Sequence, residues 1–204
     1  MQRVVKAIVR GIAFFLIRLE VVGDWPEKGP YIMATNHVSA YDSPIVFMVV
    51  PYEAAAFAGA KHRRNPIFGP LLSLGRPIWI KRGEVDREAL RKALEKLEEG
   101  IPFGLAPEGT RSPDARMQRA KVGAAYLATR AGVPILPVGI TGTENIKHNI
   151  KKLRRTPVRI VLGELFRLPE DGRVRGPKLR EYTDLIMREI AALLPEEYRG
   201  VYAD

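Results

Sequence analysis

The chain has 204 residues, of which 46% are hydrophobic and 27% are charged, as expected for one folded domain rather than for a disordered chain. It contains no cysteine, which excludes disulfides, thiolate catalysis and cysteine-based zinc sites. Its formal net charge of +10 indicates an anionic partner: nucleic acid, an anionic membrane surface or a phosphorylated substrate.

The first predicted element is an amphipathic helix over residues 1–20. Arg3, Lys6 and Arg10 fall on one side of a helical wheel, and bulky apolar residues fall on the other. The uninterrupted apolar run, residues 11–17, is too short to span a bilayer. The pattern is typical of a helix lying in a membrane interface, and also of a helix packed on the protein's own core. The sequence leaves both interpretations open.

Apolar runs typical of strands alternate with helical stretches along the rest of the chain. The predicted strands cover residues 31–35, 76–80, 101–106, 133–140 and 158–163. Helices are predicted to start at Ser43-Pro44 and to cover residues 84–100, 117–132 and 178–194. This alternation predicts a single α/β domain, residues 21–204, with a mostly parallel central sheet flanked by helices.

Four common motifs are absent from the sequence: GxxxxGK[ST], GxGxxG, GxSxG and HExxH. Nucleotide hydrolysis, dinucleotide redox chemistry, serine hydrolysis and zinc peptidase chemistry therefore lack their usual motifs. The sequence indicates neither a metal site nor a bound cofactor.

The stretch TNHVSAYDSP, residues 35–44, places His37 five residues before Asp42. On one ideal helix these positions would lie roughly 140° apart, so a continuous helix would not bring them together, whereas a strand end that turns into a helix can. In such a turn the Asp42 carboxylate would reach His37 Nδ1 and leave Nε2 free to accept a proton. By itself, the pair is more simply explained as a helix cap beside a turn histidine.

Two later polar stretches also follow predicted strands. IKRG, residues 80–83, supplies Lys81 and Arg82, and APEGTRS, residues 106–112, supplies Gly109 and Arg111. A glycine allows a backbone amide to approach an anion, and arginine binds phosphate with two hydrogen bonds. Each stretch alone could be an ordinary solvated turn, but the carboxyl ends of neighbouring parallel strands form a common crevice. The three stretches together predict one base beside two cation-bearing loops.

The same stretches carry a resemblance to a known family. NHVSAYD resembles the NHxxxxD block of the glycerolipid acyltransferases, and IKRG, PEGTRS and VPILPVGI resemble the next three blocks in the same order. The likeness runs from about residue 30 to residue 141. It is strongest to the bacterial 1-acyl-glycerol-3-phosphate acyltransferases. It implies an acyltransferase domain, peripheral or monotopic at the cytoplasmic face of the cell membrane.

The resemblance also implies a reaction. An acyl group would pass from acyl-CoA or acyl-carrier protein to the free hydroxyl of 1-acyl-glycerol 3-phosphate, which gives phosphatidic acid. His37 would be the general base and Asp42 its orienting partner. The residues implied to surround the acceptor's glycerol phosphate are Asn36, Lys81, Arg82, Glu108, Gly109, Thr110 and Arg111. Glu108 is expected either to orient Arg111 or to accept a hydrogen bond from the acceptor.

Two features depart from the family pattern. Ala106 stands where an aromatic residue usually precedes PEG, which predicts an altered acyl or acceptor pocket. The N-terminal apolar region is also shorter than in many members of the family, which predicts a different or weaker membrane attachment.

A basic segment, residues 144–155, includes Lys151 and Lys152 among its cations. Such a run is either a solvated face or a surface that binds anionic lipid headgroups. In the second case it would form a two-part membrane attachment together with Arg3, Lys6 and Arg10 of the first helix.

Three other functions are compatible with some features of the sequence. A nucleic-acid-binding protein would explain the charge, but the few aromatic residues are not interleaved with the cations, so no nucleic-acid partner is predicted. A non-catalytic lipid-binding relative would use the same pockets. Within the enzyme class, the acceptor could instead be glycerol 3-phosphate or another lyso-lipid.

Overall fold

The computed structural model describes residues 2–60, 63, 69, 77–80, 86–169 and 172–203. Within these ranges the chain forms one sheet, flanked on both faces by helices. The strands are β1 (Ile17–Val22), β2 (Ile32–Thr35), β3 (Ala55–Gly59), β4 (Ile78–Ile80), β5 (Phe103–Leu105), β6 (Ile135–Thr141) and β7 (Thr156–Leu162). The α-helices are α1 (Gln2–Leu16), α2 (Asp42–Val49), α3 (Arg87–Glu98), α4 (Gly123–Ala131), α5 (Ile146–Lys151), α6 (Gly176–Ala192) and α7 (Glu196–Arg199).

The strand order in the sheet is β1-β7-β6-β2-β5-β3-β4. Every pair is parallel except β6 and β7, which are antiparallel. The five strands from β2 to β6 therefore point the same way, and their carboxyl ends share one edge. The predicted single α/β domain with a mostly parallel sheet is confirmed.

Strand β2 lies at the centre of the fold and is buried on both faces. Ile32 and Ala34 face one hydrophobic cluster, which includes residues of α3, α4 and α6. Met33, between them, faces the opposite cluster, to which α1 and α2 contribute. Successive side chains of a strand point to opposite faces, so these two clusters hold β2 from both sides. The packing of β2 therefore holds the start of the following segment, residues 36–41, in a fixed position.

The N-terminal helix is shorter than predicted, since α1 ends at Leu16 and β1 begins at Ile17. Residues 17–20 belong to the sheet, where β1 runs parallel to β7, so the boundary at residue 20 was wrong. Ala13 and Leu16 of α1 pack against the core, whereas Phe14 and Phe15 are exposed. Helix α1 thus packs on the domain with one side and leaves apolar side chains outside. In the described part of the chain, no helix is long and apolar enough to cross a membrane.

The largest error in the predicted secondary structure is the helix over residues 117–132, which begins later than predicted. Helix α4 begins only at Gly123, because backbone N–H groups of the preceding segment have partners elsewhere. Met117 N–H donates to the Tyr198 carbonyl at 2.8 Å, and Lys121 N–H donates to the Pro107 carbonyl at 2.9 Å. Residues 117–122 therefore form a connecting loop beside the PEG motif.

The other predicted helices and strands appear with boundary shifts of a few residues, and β3 was not predicted. Its sequence, AAFAG, lacks the β-branched residues that mark strands. Helix α3 is capped by Asp86, whose carboxylate accepts the Ala89 N–H at 2.9 Å. Helix α2 begins at Asp42 rather than at Ser43, and Ser43 is not its N-cap.

Candidate active site

The site begins at the carboxyl end of β2, where Asn36 joins two strands. Its side chain is completely buried. The amide nitrogen donates to the Ile140 carbonyl at 2.9 Å, and the amide oxygen accepts the Ile140 N–H at 2.8 Å. Both ends of the amide are therefore used to fix the end of β2 against β6. The expectation that Asn36 surrounds the acceptor needs correcting, since its polar atoms bind the protein's own backbone.

His37 and Asp42 form a buried pair, which we call the dyad. His37 Nδ1 lies 2.8 Å from Asp42 Oδ2, and the Asp42 carboxylate is 1% exposed. The strand-to-helix turn predicted from their spacing is present, with Asp42 as the first residue of α2. The hydrogen bond requires Nδ1 to carry a proton towards the carboxylate, so Nε2 is the nitrogen that can accept one.

Asp42 is held by two further donors. Its Oδ2 accepts the Ser39 N–H at 2.7 Å, and its Oδ1 accepts the Thr143 hydroxyl. Thr143 follows β6 and is completely buried. A buried carboxylate is stable only where hydrogen bonds replace its hydration, and these two donors together with His37 do so. Thr143 was not predicted as a site residue; its position shortly after the VPILPVGI strand was the available signal.

Glu108 braces the dyad rather than facing the acceptor. Its Oε1 accepts the His37 N–H at 3.0 Å, its Oε2 accepts the Gln118 N–H at 3.1 Å, and the residue is 2% exposed. Neither expected role fits these contacts, because both oxygens are used by backbone donors. Burial raises the pKa of Glu108 to about 7; the two N–H donors oppose this shift, and the Asp42 charge adds to it.

The backbone of His37 is fixed on both sides by the PEGTRS loop. Its N–H donates to Glu108, and its carbonyl accepts the Ser112 N–H at 2.8 Å. The loop can turn sharply there because Gly109 has a φ of +69°, a conformation that favours glycine. The first and third family blocks are therefore one hydrogen-bonded unit.

The same loop carries exposed cations, and we call residues 109–121 the cationic loop. Thr110, Arg111 and Lys121 are exposed, and a Cβ placed on Gly109 would lie 3.6 Å from Lys121 Nζ. Among the residues that the structure describes, neither Arg111 nor Lys121 has an ion-pair partner. Both cations are thus available to an anion. Lys121 was not predicted as a site residue; it lay within the helix predicted over residues 117–132, whereas α4 begins only at Gly123.

Two predicted site residues, Lys81 and Arg82, lie outside the described residues. Their predicted contact with the acceptor stays a prediction.

A cavity of about 120 Å³ lies beside His37. Its lining is mostly apolar and comes from β2, α2, β3 and β5. It includes Met33, Val46, Phe47, Phe57, Leu105 and Ala106. Ala106, where the sequence departs from the family pattern, lines the same apolar cavity as His37. Such a lining suits a hydrocarbon chain.

The two segments predicted to bind a membrane surface meet at Arg155. Its guanidinium lies 5.1 Å from the ring centre of Phe14 and donates to the Ile17 carbonyl at 2.7 Å. Leu153 beside it is 97% exposed. We call the following exposed residues the docking patch: Phe14, Phe15, Lys151, Lys152, Leu153 and Arg155.

The remaining predicted membrane residues lie in α1. The exposed side chain of Arg10 reaches α2, where its Nε donates to the Met48 carbonyl at 3.3 Å. Arg3 and Lys6 are helical, and their side chains lie outside the described part.

Comparison with known proteins identifies relatives along most of the chain. The chain is 33% identical over 144 residues to the 1-acyl-sn-glycerol-3-phosphate acyltransferase of Limnanthes alba. The matched region covers 67% of this chain and 50% of that protein. The chain is 31% identical over 124 residues to the protein of that name from Borreliella burgdorferi, covering 59% of this chain and 49% of the relative. The chain spans about half the length of the curated relatives it matches.

A solved structure shares the fold. It is the crystal structure of the 1-acyl-sn-glycerophosphate (LPA) acyltransferase PlsC from Thermotoga maritima. The TM-score is 0.70 at 28% sequence identity, and the likeness covers 94% of this chain and 78% of that chain. Residues 18–141 match the model of the Acyltransferase family. Since this match covers more than half of the 204 residues, the chain belongs to the Acyltransferase family.

Proposed function

We propose that the protein is a 1-acyl-sn-glycerol-3-phosphate acyltransferase that makes phosphatidic acid from a thioester donor. The observation that carries this proposal is the position of His37. It is oriented by Asp42, lines an apolar cavity, and is bonded through its backbone to the loop that carries Arg111. Base, apolar cavity and exposed cations therefore lie together. The names of the relatives support this acceptor over other phosphorylated alcohols.

In the proposed reaction His37 acts as the general base. Nε2 removes the proton from the free hydroxyl of the acceptor, and the hydroxyl oxygen attacks the thioester carbonyl. The carbon–sulfur bond then breaks, and the departing sulfur takes the proton from Nε2. The imidazolium formed in between is stabilised by the Asp42 carboxylate, to which Nδ1–H donates. No covalent intermediate on the protein is required, which agrees with the absence of cysteine.

The cationic loop is proposed to bind the acceptor's phosphate. Arg111 can bind two phosphate oxygens, and Lys121 supplies a second charge beside Gly109. Gly109 and Thr110 add a backbone amide and a hydroxyl. The predicted contributions of Lys81 and Arg82 would add to this set. The acyl chain would occupy the apolar cavity that His37 lines.

The docking patch is proposed to bind an anionic membrane surface, at the cytoplasmic face of the cell membrane. Phe14, Phe15 and Leu153 offer apolar side chains, and Lys151 and Lys152 offer charges close to them. Combined apolar and basic groups are the usual means of interfacial binding. Acceptor and product both carry acyl chains, so a site on a bilayer surface can exchange them without extraction into water.

The test is an assay of purified protein with acyl-CoA or acyl-carrier protein as donor, following release of the free thiol. The acceptors are 1-acyl-glycerol 3-phosphate, glycerol 3-phosphate and a lyso-lipid with a zwitterionic headgroup. Turnover is expected with 1-acyl-glycerol 3-phosphate. Turnover with another acceptor alone would overturn the proposed substrate, and no turnover with either donor would favour a non-catalytic lipid-binding protein.

The base is tested by comparing two histidine variants. His37→Ala is expected to lower kcat by about 10²–10⁴-fold, as loss of general base catalysis does. His148→Ala is the matched control, because His148 is exposed on α5. Full activity in His37→Ala would refute the mechanism.

The docking patch is tested by sedimentation with anionic vesicles. Changing Lys151 and Lys152 to Glu is expected to weaken binding, since each basic residue near the surface contributes about 1 kcal/mol. A matched control changes Lys92 and Lys96 of α3 to Glu. If vesicle binding did not change after Lys151 and Lys152 were changed to Glu, residues 144–155 would form a solvated face and not a membrane-binding surface.

A further inference from the structure

Tyr198, in the short helix α7, contacts both loops that hold the dyad. Its hydroxyl donates to Glu144 Oε1 at 2.7 Å, and its carbonyl accepts the Met117 N–H at 2.8 Å. Glu144 follows Thr143, which donates to Asp42. Met117 precedes Gln118, whose N–H binds the Glu108 carboxylate that holds His37. Each contact of Tyr198 is therefore one residue away from a group that positions the dyad.

The segment that carries Tyr198 lies directly against Met117. Val201 N–H donates to the Met117 carbonyl at 3.3 Å, so Met117 is hydrogen-bonded through both its N–H and its carbonyl. Gly200 has a φ of +54°, and a Cβ on it would collide with the Met117 carbonyl oxygen. Residue 200 therefore requires glycine, and the close approach fixes where Tyr198 stands.

The Tyr198 hydroxyl is important to Glu144 because that carboxylate has few donors. Burial and the hydrogen bond to Glu144 raise the pKa of Tyr198 to about 12, so the hydroxyl keeps its proton and donates. Glu144 Oε1 also accepts the Asn145 amide at 2.8 Å. The other oxygen, Oε2, is buried without a hydrogen-bond partner among the described residues. Loss of the tyrosine hydroxyl would leave this carboxylate under-satisfied.

We propose that Tyr198 is a positioning residue for the dyad. Through Glu144 it holds the turn that presents Thr143 to Asp42, and thereby sets the Asp42 carboxylate against His37. It acts through other residues and does not contact the reacting atoms. The inference rests on the proposed roles of His37 and Asp42.

The principal test is the variant Tyr198→Phe, which removes the hydroxyl and keeps the backbone bond to Met117. We expect kcat to fall about fivefold, the usual effect of one hydrogen bond, with unchanged KM for donor and acceptor. Glu144→Ala is expected to lower kcat by the same factor. The double variant, with both Tyr198→Phe and Glu144→Ala, should lower kcat no further than either single change. Glu144→Gln keeps an oxygen that accepts a hydrogen bond from Tyr198, so its kcat should stay close to the wild-type value.

Tyr202→Phe is the matched control within the same segment. The Tyr202 hydroxyl accepts the Ala120 N–H at 3.4 Å and makes no contact with the turn at residues 143–144. Its kcat is expected to stay unchanged. An equal loss in both tyrosine variants would mean general loosening of residues 196–202 and would overturn the proposal, as would an unchanged kcat in Tyr198→Phe.

A second readout does not depend on activity. The chain has three histidines, so ¹⁵N labelling of their rings gives few resonances, and His37→Gln assigns the one from the dyad. We expect its Nδ1 proton to shift or broaden in Tyr198→Phe and to stay in place in Tyr202→Phe. A resonance that stays in place in Tyr198→Phe refutes this inference alone, whereas full activity in His37→Ala refutes the proposed function.

Discussion

The dyad and the cationic loop belong to one site but are built in opposite ways. His37 and Asp42 are buried, and partners that follow β2 and β6 or lie in the PEGTRS loop fix them before any substrate arrives. Arg111 and Lys121 are exposed and have no ion-pair partner among the described residues. Proton transfer needs a fixed distance and tautomer, whereas charge attraction tolerates movement. The fold therefore fixes the proposed base and leaves the side chains that are proposed to bind phosphate free to adjust to the substrate.

The largest expected effect comes from changing the fixed side. Asp42→Asn is expected to lower kcat by about 10²–10⁴-fold, because an amide can impose the wrong tautomer on His37 and no longer stabilises its charge. KM for the acceptor should change little, as measured by steady-state kinetics. Asp86→Asn is the matched control, since asparagine is also a good helix cap there. A small loss of kcat in Asp42→Asn would mean that the dyad needs no more exact a geometry than the cationic loop.

The second prediction concerns the Glu108 brace and the pH dependence of stability. Because its pKa rises from 4.5 to about 7 in the fold, the native state binds more protons than the unfolded state between these values. The free energy of unfolding should therefore fall by about 3 kcal/mol as pH rises through this window.

The measurement is urea unfolding at a series of pH values, with Glu108→Gln as the reference because glutamine does not titrate. The wild-type free energy of unfolding should fall more steeply than that of the variant. If the free energies of unfolding of wild type and Glu108→Gln changed equally with pH, Glu108 would not be a buried carboxyl group that is uncharged at low pH.

The third prediction tests the open side of the site. Lys121→Gln is expected to raise KM for 1-acyl-glycerol 3-phosphate by about tenfold, with little change in kcat, because one charge-assisted contact with phosphate is lost. Arg130→Gln, at the last turn of α4, is an exposed control. A loss of kcat comparable with that of Asp42→Asn would show that the cationic loop is as geometrically demanding as the dyad.

The smallest effect is expected at the docking patch. Leu153 has a φ of +52°, which strains a leucine and suits asparagine. Leu153→Asn is therefore expected to raise the free energy of unfolding by up to about 1 kcal/mol while weakening vesicle binding. Leu165→Asn, also at an exposed position, should give no such gain in urea unfolding. Equal vesicle binding by wild type and Leu153→Asn would exclude Leu153 from the membrane contact.

The contact between His37 and Asp42 was predicted from their spacing together with IKRG and PEGTRS, since the pair alone is more simply explained as a helix cap beside a turn histidine. A five-residue spacing between a strand and a helix start restricts the geometry to few solutions. The partners of that pair lie far away in sequence: Glu108 is 71 residues from His37, and Thr143 is 101 residues from Asp42. Such partners depend on strand order, which local patterns do not determine. This is why Glu108 was expected to orient Arg111 or to bind the acceptor, and why Thr143 was not considered.

The errors in the secondary structure have a similar cause. Residues 117–122 have helical composition, but contacts with Glu108, Pro107 and Tyr198 take their N–H groups. Tertiary hydrogen bonds thus overrode local propensity next to the site. The class of fold was predictable because the alternation of apolar runs and amphipathic helices extends over the whole chain.

The pairing of β1 with β7 has a consequence for synthesis of the chain. Ile17 pairs with Thr156, and Arg155 binds the Ile17 carbonyl across 138 residues of sequence. A ribosome adds about 5–20 residues per second, so β1 waits on the order of 10 seconds for its neighbour to be made. Throughout that interval α1 and β1 expose apolar surface on the nascent chain. Closure of this sheet edge is a late, non-local event, and conditions that slow it favour aggregation over folding.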